Sequence, residues 1–216
     1  MRILGEGQLS LTKVLLLTDA PLSLREFRPL LLPILERADF SEDLFVFSPV
    51  SQDTLDYTGD GGRLNEGGKA ILMGLGEKRY DLQAALTADL HGTRFRNPRI
   101  YTPGVLVVEG HAWHANDCAA EELLKEEAVQ PFRLVIIVDD ASECVESDES
   151  FLWTVFTRFD PASDIYSGSI RVEKFHLQLS APIVMDCRMK PWYPPPALPD
   201  PETVAAVDAR RSELNL

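Results

Sequence analysis

Residues 14–45 and 135–166 carry one pattern twice, at a constant spacing of 121 and without a gap. The first copy reads VLLLTDAPLSLREFRPLLLPILERADFSEDLF and the second VIIVDDASECVESDESFLWTVFTRFDPASDIY. Seven of the 32 positions are identical: Val14/Val135, Asp19/Asp140, Ala20/Ala141, Leu31/Leu152, Arg37/Arg158, Asp39/Asp160 and Asp43/Asp164. Ten more exchange one apolar residue for another, among them Leu16/Ile137, Leu32/Trp153, Leu35/Phe156 and Phe45/Tyr166. Such a repeat restricts the chain to folds that can hold the same supersecondary unit twice.

Each copy opens with a short apolar run, residues 14–17 or Leu134–Val138, of the kind that forms a buried strand. Each run ends at an acid, Asp19 or Asp140. A segment with helical spacing follows, marked in the second copy by Phe151, Leu152, Val155 and Phe156, with Phe159 just beyond. An Arg-x-Asp turn comes next, and a second strand starts at Asp43 or Asp164. Strand, helix and strand of this length read as a βαβ unit with right-handed parallel pairing. The expected fold is α/β: two βαβ-type units related by internal duplication, with parallel or mixed sheets flanked by helices.

The match resumes further on, where Ala70-Ile71-Leu72-Met73 aligns with Pro182-Ile183-Val184-Met185 and Lys78 with Lys190. The first copy holds nine extra residues before that point, including Thr58-Gly59-Asp60-Gly61-Gly62. Glycine lets another backbone come close, so this loop is either a functional edge or a plain solvated loop. Pro29 fits a first helical turn, whereas Pro33 is expected to kink or shorten its helix. The second copy lacks proline there, so its helix is expected to be straighter.

The chain divides into a first unit over residues 1–80, a connecting segment over 81–130, a second unit over 131–190 and a tail over 191–216. The connecting segment reads as a polar helix-like stretch, a strand at Gly104-Val105-Leu106-Val107-Val108 and an acidic helix at 121–128. The run Pro191-Trp192-Tyr193-Pro194-Pro195-Pro196 cannot enter a central strand and reads as extended. Asp200-Pro201-Glu202 opens a terminal helix to about Leu214.

Hydrophobic content of 45% and charged content of 25% suit a soluble globular protein. No apolar run is long enough to span a bilayer and no leader stands before the first unit, so the expectation is a cytoplasmic chain. A formal net charge of −13 repels a phosphate backbone and argues against nucleic acid as a partner. Cys118, Cys144 and Cys187 are odd in number and far apart, which suits inert thiols rather than a disulfide framework.

Few residues suggest chemistry. His111, His114 and Cys118 have a metal-like spacing but lack a fourth ligand, and surface histidines are the simpler reading. Gly5-Glu6-Gly7-Gln8 precedes a strand, whereas a dinucleotide fingerprint follows one. Asn65-Glu66-Gly67-Gly68-Lys69 lacks P-loop spacing. A turn leading into a strand at Ala70 is favoured there over a phosphate role for Lys69. No Gly-x-Ser-x-Gly elbow is present, and Asp139-Asp140 at a strand end suits helix capping better than acid–base work.

Several strings together carry a family resemblance. They are Gly5-Glu6-Gly7-Gln8-Leu9-Ser10-Leu11-Thr12-Lys13, Asp53-Thr54-Leu55-Asp56-Tyr57, and Asn65-Glu66-Gly67-Gly68-Lys69-Ala70. With them come Arg158-Phe159-Asp160-Pro161-Ala162-Ser163-Asp164 and Met185-Asp186-Cys187-Arg188-Met189-Lys190-Pro191-Trp192-Tyr193-Pro194. The chain resembles the C-terminal part of the UbiD family of aromatic and unsaturated acid decarboxylases. Within it, the likeness is to long members assigned to menaquinone biosynthesis.

The resemblance implies reversible loss of CO₂ on prenylated flavin mononucleotide (prenylated FMN) with a divalent metal, both held by an N-terminal portion that has no counterpart here. It therefore implies no catalytic, cofactor or metal residue in this chain, and a cofactor-bearing UbiD-like chain or domain as partner, in a homo- or hetero-oligomer. Phe47, Pro49, Val50 and Lys69 match positions that could wall the substrate side of the cleft. One reading is thus the substrate-capping part of a carboxy-lyase. The other is a non-catalytic fragment or assembly module. Either leaves an apolar surface for another polypeptide, expected at Ile3, Leu4, Leu9 and Leu11 with Trp192 and Tyr193.

Overall fold

A computed structural model describes residues 2–5, 7–59, 65–90, 93–195, 197 and 199–211. The first unit begins with α1 (Arg2–Gly5) and a 3₁₀ turn at Gly7–Leu11, then β1 (Val14–Thr18), α2 (Phe27–Arg37), β2 (Leu44–Ser51) and β3 (Glu66–Gly74). Its three strands lie in the order β1-β3-β2. Strand β3 is parallel to β1 and antiparallel to β2.

The rest supplies β4 (Arg96–Thr102), β5 (Val105–Glu109), α3 (Ala119–Leu123), β6 (Leu134–Val138), α4 (Ala141–Glu146), α5 (Asp148–Phe156) and β7 (Ile165–Ser167). A hairpin of β8 (Ile170–Glu173) and β9 (His176–Leu179) follows, then β10 (Ile183–Asp186) and α6 (Pro201–Ala209). A five-stranded sheet runs β4-β5-β6-β10-β7, and β8-β9 form a separate ribbon.

The mixed α/β class with helix-flanked sheets is what the sequence indicates. The simple parallel βαβ pairing is not. In each unit the strand after the helix is antiparallel to its neighbour, and the parallel partner of the first strand is the third: β1 with β3, and β6 with β10. The link from β2 to β3, and the β8–β9 hairpin between β7 and β10, turn the chain back on itself. Such connections give antiparallel neighbours.

The constant spacing of 121 holds in one place. Asp39 and Asp160 build the same turn. Each accepts an amide two residues on (Ser41 or Ala162), and each carbonyl accepts from the residue four on (Asp43 or Asp164). The core-facing residues are one step out of phase. Val14 and Leu16 line the same apolar cavity as Leu134 and Ile136, and Leu31 and Leu35 face it with Phe151 and Val155. The second copy takes one more residue from its core-facing Val155 to the Asp160 turn than the first takes from Leu35 to Asp39, so matched letters do not always match in direction.

Pro33 does not shorten its helix: α2 has 11 residues and the matching α5 nine. Helix α2 runs unbroken through Pro33. In the proline-free copy the matching helix α5 starts at the equivalent place, where the Ser147 hydroxyl accepts the Ser150 amide, and the separate α4 precedes it. Capping serines compete with helical continuation. The Asp148 carboxylate then caps α2 from outside, accepting the amides of Phe27 (2.6 Å) and Arg28 (3.3 Å). Helix α2 has no side-chain cap of its own.

In the connecting segment, β5 forms as expected. The stretch before it is irregular and then becomes strand β4, and the acidic helix shrinks to α3 and a 3₁₀ turn at Glu127–Val129. Helix α6 starts at the Asp200 cap and Pro201 as expected. Residues 60–62, Pro196 and the stretch from 212 to Leu214 lie outside the described residues.

Two apolar layers hold the five-stranded sheet. One face packs Val105, Val107, Ile136 and Met185 against α2, α5 and the first unit's Leu44 and Ala70, in one continuous core. The other packs Leu106, Val108, Val135 and Ile137 under α3 and Phe132. Both faces being covered explains why β5 and β6 are apolar runs without alternation. No helix among the described residues is long and apolar enough to cross a membrane.

Candidate functional site

The seam between the two units is where backbone and charge meet most closely. Gly67 and Gly68 lie within β3, which starts at Glu66, and not in a turn before it. The Asp160 turn presses on their backbone, and the Gly68 amide donates to the Asp160 carboxylate at 2.6 Å. A Cβ on Gly68 would stand 2.6 Å from the Ala162 nitrogen and 2.7 Å from Asp160 Oδ1. Only glycine permits this approach.

A ring of buried charge surrounds the contact. Lys13, just before β1, reaches across to the Phe156 (3.1 Å) and Phe159 (3.0 Å) carbonyls at the end of α5. It also pairs with Asp56 at 2.7 Å. Burial raises the Asp56 carboxyl, but the bonds from Lys13 and Thr58 outweigh it and hold the group below its ordinary value. Lys190 reaches the following turn from below. It donates to the Arg158 carbonyl (3.2 Å) and Tyr193 Oη (3.1 Å), and pairs with Asp164 at 3.0 Å. The Lys13 ammonium thus complements the negative end of α5, and Lys190 holds the turn that follows it.

Burial pushes the Asp164 carboxyl up to about 6 against the pull of Lys190. A raised carboxyl favours the fold while protonated. That contribution is full below the unfolded value and is lost as pH rises through about 6.

Deeper still, Arg188 is wholly buried and grips Asp186 through two bonds of 2.8 and 2.5 Å. Its remaining nitrogen donates to the His111 (2.8 Å) and Asn116 (2.9 Å) carbonyls, fixing that loop. His111, His114 and Cys118 are exposed along it. Among the described residues, no three His, Cys, Asp or Glu side chains converge as a metal site.

Above the seam opens a cleft of about 310 Å³, lined by Ser48, Pro49, Gly59, Glu66, Gly67, Asp160, Ala162 and Ser163. Of the four residues expected at a substrate wall, Pro49 lines it. Phe47 and Val50 are half-buried on β2, on either side of a bulge in its pairing with β3. Lys69 is turned away. Its ammonium is buried and donates to the Leu4 carbonyl at 3.1 Å and to that of Ser10, holding the N-terminal segment to β3.

Sequence reasoning did not single out Lys13, Asp160 or Lys190 as seam residues. The repeated Arg-x-Asp and the lysine before the first strand were the signals available. Asp139 and Asp140 have structural roles: Asp139 pairs with Arg158 at 3.2 Å, and Asp140 caps α4.

Residues 1–74 match the 3-octaprenyl-4-hydroxybenzoate carboxy-lyase C-terminal domain family, the UbiD C-terminal domain. That is the class to which the first unit points. Nearly the whole chain also has homologues. A protein of Chlamydia pneumoniae named as a 4-hydroxybenzoate decarboxylase subunit is 38% identical over 211 residues, which is 97% of this chain and 35% of that protein. An uncharacterized protein of Chlamydia caviae is 38% identical over 213 residues, 99% of this chain and 36% of its own length. The chain therefore spans about a third of the curated relatives it matches. Among solved structures, the open form of Sedimentibacter hydroxybenzoicus vanillic acid decarboxylase with a truncated second subunit aligns with TM-score 0.38 and 14% identity. It covers 81% of this chain and 44% of that one.

The prenylated FMN and divalent metal that the resemblance implies for a complete enzyme do not fit the described residues of this chain. Among the described residues the cleft is lined by Glu66 and Asp160 and by no lysine or arginine for a phosphate. A second cavity, between the sheets, is wholly apolar and about 80 Å³, too small for a flavin.

Proposed function

We propose that this chain is the C-terminal, substrate-capping and oligomer-forming part of a UbiD-like carboxy-lyase acting on an aromatic or unsaturated carboxylic acid. Prenylated FMN and its metal would sit on a separate N-terminal portion, in the same polypeptide or a partner chain, in the cytoplasm. The observation that carries this is the 38% identity across 97% of the chain to a relative named as a decarboxylase subunit. The family match over residues 1–74 supports it independently of the second unit.

In this reading the seam makes a rigid wall rather than a reaction centre. Pro49, flanked on β2 by Phe47 and Val50, faces the acid. Lys69 sets the N-terminal segment in place. An acid of menaquinone biosynthesis is the finer substrate assignment that goes with the long family members.

Co-expression with a cofactor-bearing UbiD-like portion tests the reading. A stable complex with a flavin spectrum that releases CO₂ from an aryl acid such as 4-hydroxybenzoate is expected. Absence of any complex, or turnover unchanged by omitting this chain, overturns it.

A further inference from the structure

Of the residues the sequence suggests, Ile3, Leu9, Leu11 and Trp192 are exposed. Leu4 and Tyr193 are buried, and Trp192 packs edge-on to Trp113 at 5.0 Å while donating to the Gly59 carbonyl. A second exposed apolar group lies on the β8–β9 hairpin. Ile170 is 57% exposed, Val172 70% and Phe175 fully exposed at the tip. All four residues of β8 are exposed, and β8 pairs with β9 alone.

This is a firmly held ribbon. Strand β9 rests on β2, with the His176 ring 4.8 Å from Phe45 and its Nε2 3.0 Å from the Ser41 carbonyl. Leu179 is buried in the main core. At the base, the Ser167 hydroxyl donates to the Ser180 carbonyl at 2.8 Å and accepts the Ser180 amide at 3.0 Å. Strand β8 is thereby held outward as a free edge, which is a template for another strand.

The phase of the ladder says which groups that edge offers. Ser180 donates to the Ser169 carbonyl, so the odd-numbered residues of β8 bond inward to β9. In an antiparallel ribbon the alternate residues then point their amides and carbonyls outward. Those are Ile170 and Val172.

We propose that β8 pairs antiparallel with β8 of a second copy of this chain, about a two-fold axis through Val172. Charge selects both partner and register. With Val172 opposite Val172 of the second copy, the outward amides and carbonyls of the two valines bond each other. Arg171 of each copy then stands opposite Glu173 of the other. Moving the axis to Arg171 sets arginine against arginine, and moving it to Glu173 sets glutamate against glutamate. Opposite charges across a ladder stabilise it and like charges oppose it. Arg171 has no ion pair among the described residues, and Glu173 has only its neighbour Lys174 at 3.9 Å. The pairing also joins Ile170 and Val172 of both copies in one apolar stripe, on the face that carries Leu177 and Leu179.

Sedimentation equilibrium of the 216-residue chain at physiological ionic strength tests this, since the net charge of −13 on each copy opposes approach at low salt. A monomer–dimer equilibrium is expected. Arg171→Glu and Glu173→Arg should each weaken it roughly tenfold or more, because the two-fold repeats every change. The double reversal, Arg171→Glu with Glu173→Arg, should restore it. Val172→Pro should abolish it and keep the hairpin, because its amide faces away from β9. A wild-type chain that stays monomeric, a dimer indifferent to the single reversals, or a double reversal that fails to rescue would each overturn the proposal. Loss of association with a flavin-bearing chain on the same single reversals, in a chain monomeric on its own, would reassign the edge to that partner.

Discussion

Gly68 and Asp148 show how single side chains, or the lack of one, set this structure. At Gly68 the nearest atoms to an added methyl are backbone and carboxylate of the opposing turn, and these have little room to give. Gly68→Ala is expected to cost about 1–3 kcal/mol, read as a lower denaturation midpoint with an unchanged slope. Asp148 is nearly surrounded. Its carboxylate accepts from Tyr101 Oη at 2.7 Å and pairs with Arg28 at 3.2 Å besides capping α2. Burial raises this carboxyl, but the Tyr101 hydroxyl and the Phe27 and Arg28 amides outweigh it and hold it below its ordinary value. A lowered carboxyl stabilises the fold above the unfolded value of 3.8 and loses that contribution as pH falls through the native one. Asp148→Asn should therefore cost about 1 kcal/mol near neutrality. Denaturant titrations across the acid range should show the gap from wild type closing as pH falls.

Among the elements, the helices and the ribbon differ in what secures them. Helix α5 ends on Lys13, α2 begins on Asp148 of α5, and each helix thus depends on a residue outside itself. Helix α6 has its own cap at Asp200 but buries none of its described residues. The β8–β9 turn is the reverse case: both of its central residues, Lys174 (φ 50°) and Phe175 (φ 66°), sit in the left-handed region. A two-residue turn of that kind favours Asn-Gly. Lys174→Asn combined with Phe175→Gly is expected to raise the melting temperature. If it lowers it, the Phe175 ring contributes contacts that its full exposure denies.

For the molecule as a whole, one continuous core spans both units, drawing Leu31, Leu35 and Leu44 together with Val105, Ile136 and Phe151. The units should therefore unfold together, with near-UV and far-UV signals coinciding. Neither the seam cleft nor the apolar cavity between the sheets suits a flavin, so the purified chain is expected to decarboxylate no aryl acid. Activity proportional to its concentration and free of other polypeptides would contradict the proposed division of labour.

The strands at 14–18 and 134–138, the α/β class, the Asp200 cap and the Arg-x-Asp turn were legible from residue order, because each rests on neighbours in the chain: hydrophobic run length, a capping oxygen, a local carboxylate–amide bond. Pairing direction was not legible, since the third strand of each unit enters between the first two and nothing local to β2 or β7 records it. Nor was α4, the extra helix of the second copy, which ends where the Ser147 hydroxyl caps α5. The candidate site was legible in part. Pro49 reached the cleft, while Lys69 was drawn to the carbonyls of Leu4 and Ser10, far away in sequence. Lys13, Asp160 and Lys190 became a charged seam through folding alone, because a buried cation must find oxygen wherever the packed chain brings it.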